Sequence, residues 1–351
     1  MISFGLKDNN KIYFLIFILI IFFFLNIYQL NNQHWSAMID LDSIVIYNSL
    51  LVASGYEQEY RDHPAFILFL INGLIFNLIS LFQDNYSTNI DIILNSTNID
   101  NTFQFYFKIA RITNYFINTV FIIFFYKILT NLKIEKNIIF LICLTFIFSQ
   151  WYFLSFFALR AEIISLTMFA IGINFILSNK LSLLSKYFYS GIFFALAMFS
   201  KIQIIFLIAF PIFLIPFALL NKDALNFKIS RRIENYLLVS IVLGILSFLI
   251  FQIYIQEFPR FERNKYLDLI FFAVSFLLIL TYYLILNKFN YSYFKKNIFL
   301  LSSLLNGFVL CVILIIILDR FNILQVNDFI FLRITNPIHY MTEFTKTYAE
   351  G

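Results

Sequence analysis

Charged residues are scarce in this chain of 351 residues: Asp, Glu, Lys and Arg together make up 13% of it. The net charge of +5 lies in short segments between apolar runs and forms no basic stripe, which argues against a nucleic-acid-binding protein. There are two cysteines, Cys143 and Cys311, and both stand inside apolar runs. They therefore predict packed thiols, not a disulfide or a zinc site. The sequence also has no Gly-rich phosphate loop and no internal repeat.

Apolar residues are abundant instead. They make up 61% of the chain, and the mean hydropathy is +0.83. Several uninterrupted runs reach the ~20 residues that a helix needs to cross the hydrocarbon core of a bilayer. The first run, residues 12–30, is too long for the apolar core of a signal peptide, and no small-residue cleavage site follows it. The composition therefore predicts an integral membrane protein whose first span is retained as an anchor.

The predicted fold is all-α, a polytopic bundle of about nine transmembrane helices. The run 64–82 is also long enough to cross, but Asn72, Gly73, Asn77 and Ser80 interrupt its apolar character. The nine predicted spans lie near 12–30, 109–129, 137–157, 163–178, 187–200, 202–220, 236–255, 266–286 and 297–318.

The distribution of Lys and Arg decides whether 64–82 crosses. If it lies along the membrane surface, the predicted cytoplasmic segments hold fourteen of the 25 Lys and Arg and only four of the 20 Asp and Glu. If it crosses, twelve of those fourteen bases move outside, against the tendency of Lys and Arg to stay in the cytoplasm. We therefore expect an internal N-terminus and one large extracytoplasmic first loop, residues 31–108. Residues 1–318 then form the membrane domain, and 319–351 form an extracytoplasmic tail.

The first loop is predicted to carry interfacial helices. Residues 43–54 form an amphipathic pattern that ends in Ser54-Gly55, and the apolar segment 66–82 suits a helix in the interface plane. The polar segment 83–104, rich in Asn, Asp, Ser and Thr, is predicted to be a loop.

The ionisable residues that could take part in catalysis or binding all fall on the predicted outer side. Asp40 and Asp42 directly follow the first span, and in an extended segment they can present both carboxylates to one metal ion or one substrate hydroxyl. A solvated acidic membrane edge is the alternative. A second polar cluster precedes the apolar segment 66–82, and its members are Glu57, Glu59, Asp62 and His63. Its plain interpretation is that Asp62 caps a helix and His63 is an ordinary surface histidine.

Two later links add charged residues. Arg160 and Glu162 stand between the predicted third and fourth spans, where a lone Arg usually extends its charged end to the interface. Lys201 interrupts the apolar stretch from Tyr187 to Leu220. Because a charge at mid-membrane costs ~2.5–3.5 kcal/mol on insertion scales, we expect Lys201 at a hairpin tip on the outer surface.

The order of these motifs along residues 12 to about 220 resembles the GT-C glycosyltransferases, among them the protein O-mannosyltransferases and the lipid A aminoarabinose transferase. The resemblance rests on five motifs in this order along the chain. They are Asp-Leu-Asp at 40–42 after the first span, Ser-Gly at 54–55 at a helix end, His-Pro at 63–64 before an apolar run, Arg160 with Glu162 between the third and fourth spans, and Ser-Lys at 200–201 between the fifth and sixth spans. GT-C enzymes more often have Asp where this chain has Glu162. They usually have more spans and often a soluble C-terminal domain, so a short member and an incomplete chain both stay open.

The resemblance implies the function and the roles of these residues. It implies transfer of a sugar from a polyprenyl-phosphate carrier to an extracytoplasmic lipid, glycan or protein, with inversion, in a bacterial inner membrane with the active site facing the periplasm or exterior. A divalent ion, Mg²⁺ or Mn²⁺, held by the acidic pair is compatible with it but not required. The alternatives are a non-catalytic transporter of lipid-linked glycans and a structural subunit of a membrane complex. The implied catalytic residues are Asp40 or Asp42 as general base and Glu162, and the implied donor-phosphate ligands are His63, Arg160 and Lys201.

Overall fold

A computed structural model of the chain describes residues 8–36, 42–59, 65–83, 85–178, 180–218, 291–321 and 323–324. All regular secondary structure in these ranges is helical, as predicted. A 3₁₀ turn, Ile202–Ile204, precedes the tenth α-helix. The α-helices are α1 Asp8–Asn32, α2 Asp42–Ala53, α3 Phe66–Ser80, α4 Ile90–Leu94, α5 Ile99–Asn131, α6 Lys136–Ile147, α7 Gln150–Ser155, α8 Ala161–Leu177, α9 Leu183–Ser200, α10 Ile205–Ala218 and α11 Tyr291–Arg320.

Four of the described helices are long and apolar enough to cross a membrane. They are the segments Tyr13–Asn32, Ile99–Asn131, Leu183–Ser200 and Lys296–Asp319. Each contains one of the predicted spans or most of it. The shorter apolar helices are α2, α3, α6 and α8. The predicted spans 236–255 and 266–286 lie outside the described residues.

One predicted span is interrupted, and one predicted loop is wrong. The predicted span 137–157 is broken, because α6 ends at Ile147 and α7 begins at Gln150 after a turn. The segment 83–104, predicted to be a loop, contains α4 and the first turns of α5. Here the Asn89 side chain caps α4 by accepting hydrogen bonds from the backbone N–H groups of Asp91 and Ile92, at 3.0 and 3.4 Å. Asparagine is common in loops, but here it also marks the start of a helix.

Close helix packing depends on glycine. Helix α9 lies between α8 and α11, and Gly191 of α9 packs on the backbone of α11 so tightly that a Cβ atom there would overlap the carbonyl oxygen of Leu304. Gly307 of α11 makes the reciprocal approach to the carbonyl of Phe188. The Ser303 hydroxyl adds a hydrogen bond of 2.8 Å to the Leu184 carbonyl. Small residues at such a crossing are typical of helices that associate inside a membrane.

The first loop folds as a helical hairpin whose start is the predicted helix 43–54. Helix α2 ends at Ala53, and Gly55 turns the chain with φ +78°, a conformation that favours glycine. Helix α3 returns against α2, where Gly73 lets the two backbones approach: a Cβ there would lie 2.9 Å from the Ser49 carbonyl. Ser54 then ties this hairpin to α4, because its hydroxyl donates to the Thr88 carbonyl and accepts from the Ile90 N–H, both at 2.9 Å.

Candidate functional site

A buried ion pair joins the first loop to the helix bundle. Asp42, the first residue of α2, is 0% exposed, and its Oδ2 accepts a hydrogen bond from Nη2 of Arg111, which is 1% exposed on α5. Its Oδ1 accepts from the backbone N–H of Leu159 at 2.6 Å. One carboxylate thus connects α2, α5 and the link between α7 and α8. Buried charges require such pairing, because an isolated one is strongly disfavoured.

The link between α7 and α8 has irregular backbone, and asparagine side chains satisfy its carbonyls. Asn114 of α5 donates to the carbonyls of Ser155 and Ala158 at 2.7 and 3.0 Å. Asn118 donates to Ser155 at 3.1 Å, and Asn26 of α1 donates to Phe156 at 2.8 Å. Non-helical backbone inside a membrane protein persists only where such partners exist. The link is therefore held in one conformation immediately before Arg160 and Glu162.

A second ion pair joins the first turn of α8 to the residue after α9. Helix α9 ends at Ser200, and Lys201 follows with an extended backbone, so a break in the helix stands where a hairpin tip is predicted. Its Nζ lies 2.7 Å from Oε1 of Glu162. Glu162 precedes the predicted span 163–178. Burial alone would raise the pKa of Glu162, but the hydrogen bond and charge of Lys201, together with a backbone hydrogen bond and the charge of Arg160, hold that pKa below its ordinary value.

An open pocket of about 390 Å³ lies against the first two turns of α2. Its described lining residues are Ser43, Ile44, Tyr47, Asn48 and Glu59. The Asn48 Oδ1 accepts from the Glu59 backbone N–H at 2.8 Å, which holds this residue beside α2. Burial, followed by the charge and hydrogen bond of Glu59, raises the pKa of the Tyr47 phenol, so this group keeps its proton.

Four of the predicted site residues meet at one end of the bundle. The Asp42–Leu159 bond joins α2 to the link that ends at Arg160, and Glu162 in the first turn of α8 is paired with Lys201. At the same end, Phe66 at the start of α3 packs against Phe199 near the end of α9, with ring centroids 6.3 Å apart. Asp40 and His63 lie outside the described residues.

Asp42 does not suit a metal ion. Both of its oxygens accept hydrogen bonds, one of them from the cationic Arg111, and the side chain has no exposed surface. A hard cation such as Mg²⁺ needs free carboxylate oxygens and several waters around it. Among the described residues no group of three His, Cys, Asp or Glu is arranged to hold a metal.

Sequence reasoning missed Arg111 and the asparagines of α5. The signal was present, because Arg111 falls inside the predicted span 109–129 and an ionisable residue there indicates a buried partner. The sequence does not say which partner, since Asp42 is 69 residues away.

When compared with protein families, with curated proteins and with solved structures, the chain matches none of them.

Proposed function

We propose that the chain is a GT-C-type membrane glycosyltransferase with about nine spans and an extracytoplasmic active site in a bacterial inner membrane. Its donor is a sugar on a polyprenyl phosphate, and its acceptor is an extracytoplasmic lipid, glycan or protein. The observation that carries the proposal is that three separate segments meet: the start of α2 at Asp42, the segment from Leu159 to Glu162, and Lys201. The residue types of these three segments are those on which the resemblance rests.

The depth of this meeting point also supports the proposal. Helix α5 has 33 residues and is therefore about 50 Å long, well beyond the ~30 Å of a hydrocarbon core. Arg111 lies about 30 Å along the helix axis from the C-terminal end of α5. If that end marks the cytoplasmic boundary, the Asp42–Arg111 pair lies near the outer boundary, where a lipid phosphate and a water-soluble acceptor can meet.

The burial of Asp42 separates the roles of the acidic pair. A general base must reach the proton that it removes within hydrogen-bond distance, and Asp42 is enclosed between Arg111 and Leu159. We therefore assign the base to Asp40 and give Asp42 the task of anchoring the segment that carries it. The acceptor oxygen bonds to the anomeric carbon, the bond from that carbon to the phosphate oxygen breaks, and the proton passes to Asp40. Polyprenyl phosphate leaves, and the configuration inverts.

Lys201 and Arg160 are proposed to stabilise the leaving phosphate. Lys201 pairs with Glu162 in this structure, and its side chain is 14% exposed. A donor phosphate then binds Lys201 either in place of the Glu162 carboxylate or beside it, and Glu162 already holds the lysine in position. Charge-assisted hydrogen bonds of this kind are about twice as strong as neutral ones. They act best where charge develops as the bond breaks.

The test uses purified protein in lipid discs, a labelled polyprenyl-phosphate sugar and a membrane extract as acceptor. Asp40→Asn is expected to lower turnover by about 10²–10⁴-fold, because an amide cannot accept the proton. Asp100→Asn, an exposed acid at the start of α5, serves as the matched control and keeps full turnover. Lys201→Ala raises the donor KM or lowers kcat, and Lys201→Arg recovers part of the loss because the charge is kept.

Two outcomes count against the proposal. Full turnover in Asp40→Asn removes the assigned base. Movement of the sugar across sealed vesicles with its carrier bond intact identifies a transporter instead of an enzyme.

A further inference from the structure

The α2 pocket has a fixed frame. Asn48 is buried, and its amide group is used at both ends: Oδ1 holds the Glu59 backbone N–H, and Nδ2 donates to the Ile44 carbonyl at 2.8 Å. The Tyr47 ring packs against the apolar core on one side and is half-buried. Burial raises the pKa of the Tyr47 phenol and the charge of Glu59 raises it further, so the two side chains are close to each other. The Asn48 bonds fix the backbone of Glu59 beside α2 before a ligand arrives, which lowers the entropic cost of binding.

The chemistry of the pocket favours hydroxyl groups and disfavours anions. Glu59 is the one charged residue among its described lining residues, and its carboxylate is exposed. The carboxylate accepts hydrogen bonds from several donors, while Tyr47 offers a flat apolar ring beside it. A sugar ring presents that combination, with hydroxyl donors at its rim and C–H groups on its face. The volume of about 390 Å³ falls within the ~300–1,000 Å³ typical of small-molecule sites.

The described lining of the pocket does not suit the donor phosphate. A phosphate carries negative charge and would face Glu59 without a cation among the described lining residues. The cations of the site, Arg160 and Lys201, belong to other segments of the chain. The described charges therefore separate into an anion-binding part and a hydroxyl-binding part.

From this separation we infer that the α2 pocket is the acceptor subsite, which takes a neutral or amine-bearing sugar and rejects acidic ones. The inference rests on the proposed function and specifies its acceptor. Ser43 of the pocket stands three residues after Asp40, the assigned base, and directly after Asp42, which is anchored to Arg111. The pocket is therefore adjacent in sequence to the segment that carries the assigned base.

The binding experiment uses three methyl glycosides with the same ring: methyl glucoside, methyl glucosaminide with a free amine, and methyl glucuronide. Binding to the protein in lipid discs is measured by ligand-observed NMR titration. The glucoside and the glucosaminide are expected to bind, with the glucuronide at least tenfold weaker. Glu59→Gln weakens the glucosaminide by about tenfold, because a charge-assisted hydrogen bond becomes a neutral one, and removes the discrimination against the glucuronide.

Glu57→Gln is the matched control. Glu57 is an exposed acid two residues away that does not line the pocket, so its variant keeps the selectivity of the native protein. Tyr47→Phe keeps the ring and loses the hydroxyl, and it should weaken all three glycosides less than Tyr47→Ala does. Equal binding of the glucuronide, binding that is unchanged in Glu59→Gln, or no binding of any glycoside overturns the subsite.

Failure of the subsite and failure of the proposed function give different results. Selective glycoside binding without any sugar transfer refutes the enzyme and leaves the sugar-binding pocket. Transfer whose acceptor KM is the same in Glu59→Gln as in the native protein refutes the pocket and leaves the enzyme. The expected result is a higher acceptor KM in Glu59→Gln with an unchanged donor KM.

Discussion

Replacing either partner of the Asp42–Arg111 pair should destabilise the protein strongly. Both side chains are at most 1% exposed, so removing one leaves the other as a buried, uncompensated charge. Such changes typically cost about 3–5 kcal/mol, several times the effect of an exposed ion pair. Arg111→Met keeps the aliphatic stem and its packing near the Phe107 ring while removing the guanidinium. Asp42→Asn keeps an oxygen that can accept from Leu159.

The double variant separates the pair from its surroundings. Each single change leaves one unpaired charge, whereas the double variant leaves none. Its loss of stability should therefore be smaller than the sum of the two single losses by several kcal/mol. The matched control is Lys127→Met, a cation on the same helix and near the Phe124 ring but exposed, which should alter stability by no more than about 0.5 kcal/mol.

The two native cysteines provide the assay. Cys143 and Cys311 are free and buried, so a thiol-reactive fluorogenic dye reacts with them only as the protein opens. The midpoint temperature of this reaction ranks the variants in one detergent, and a denaturant titration under reversible conditions gives the coupling free energy. If Arg111→Met is as stable as Lys127→Met, or if the double variant shows the full sum of both losses, the pair does not hold the first loop to the bundle.

Three further outcomes follow from the packing, the charges and the predicted topology. Gly191→Ala should cost about 1–3 kcal/mol in the same thiol assay, because backbone atoms of α11 must move. Gly172→Ala, which meets a phenylalanine ring at 2.5 Å, should cost less because a ring can turn. The folded-state pKa of Glu162 is lowered, so its pairing stabilises the protein at any pH above the ordinary carboxyl pKa of 4.5, and this contribution is lost as the pH falls further. The difference in stability between the native protein and Glu162→Gln should therefore shrink from pH 7 to about pH 4. Unfolding followed by tryptophan fluorescence measures this difference. In a background without the native cysteines, Asn95→Cys should react with an impermeant thiol reagent added outside intact cells and Asn131→Cys should not, and the reverse pattern contradicts the proposed orientation.

Local signals in the sequence were sufficient for some elements and misleading for others. The helix at 43–54 is predictable because its apolar residues and the terminal Gly55 act within a few residues of one another. The segment 83–104 is misread, because composition does not distinguish an asparagine in a loop from one that caps a helix, as Asn89 does.

The candidate site shows the same division. Asp42, Glu162 and Lys201 are found because charges between apolar runs stand out. Their partners depend on how distant helices pack, and spacing along the chain contains no measure of that. Arg111 illustrates the limit: the sequence marks it as unusual, and only the fold identifies Asp42 as its partner.

The asparagine bonds to the link between α7 and α8 make its shape depend on helices that come much earlier in the chain. The carbonyls of Ser155, Phe156 and Ala158 receive their hydrogen bonds from α1 and α5. A buried backbone carbonyl without a partner is costly, so these bonds stabilise one conformation of the link only when α1, α5 and α7 are packed together. The link therefore takes its final shape late in assembly, although it directly follows α7 in the chain.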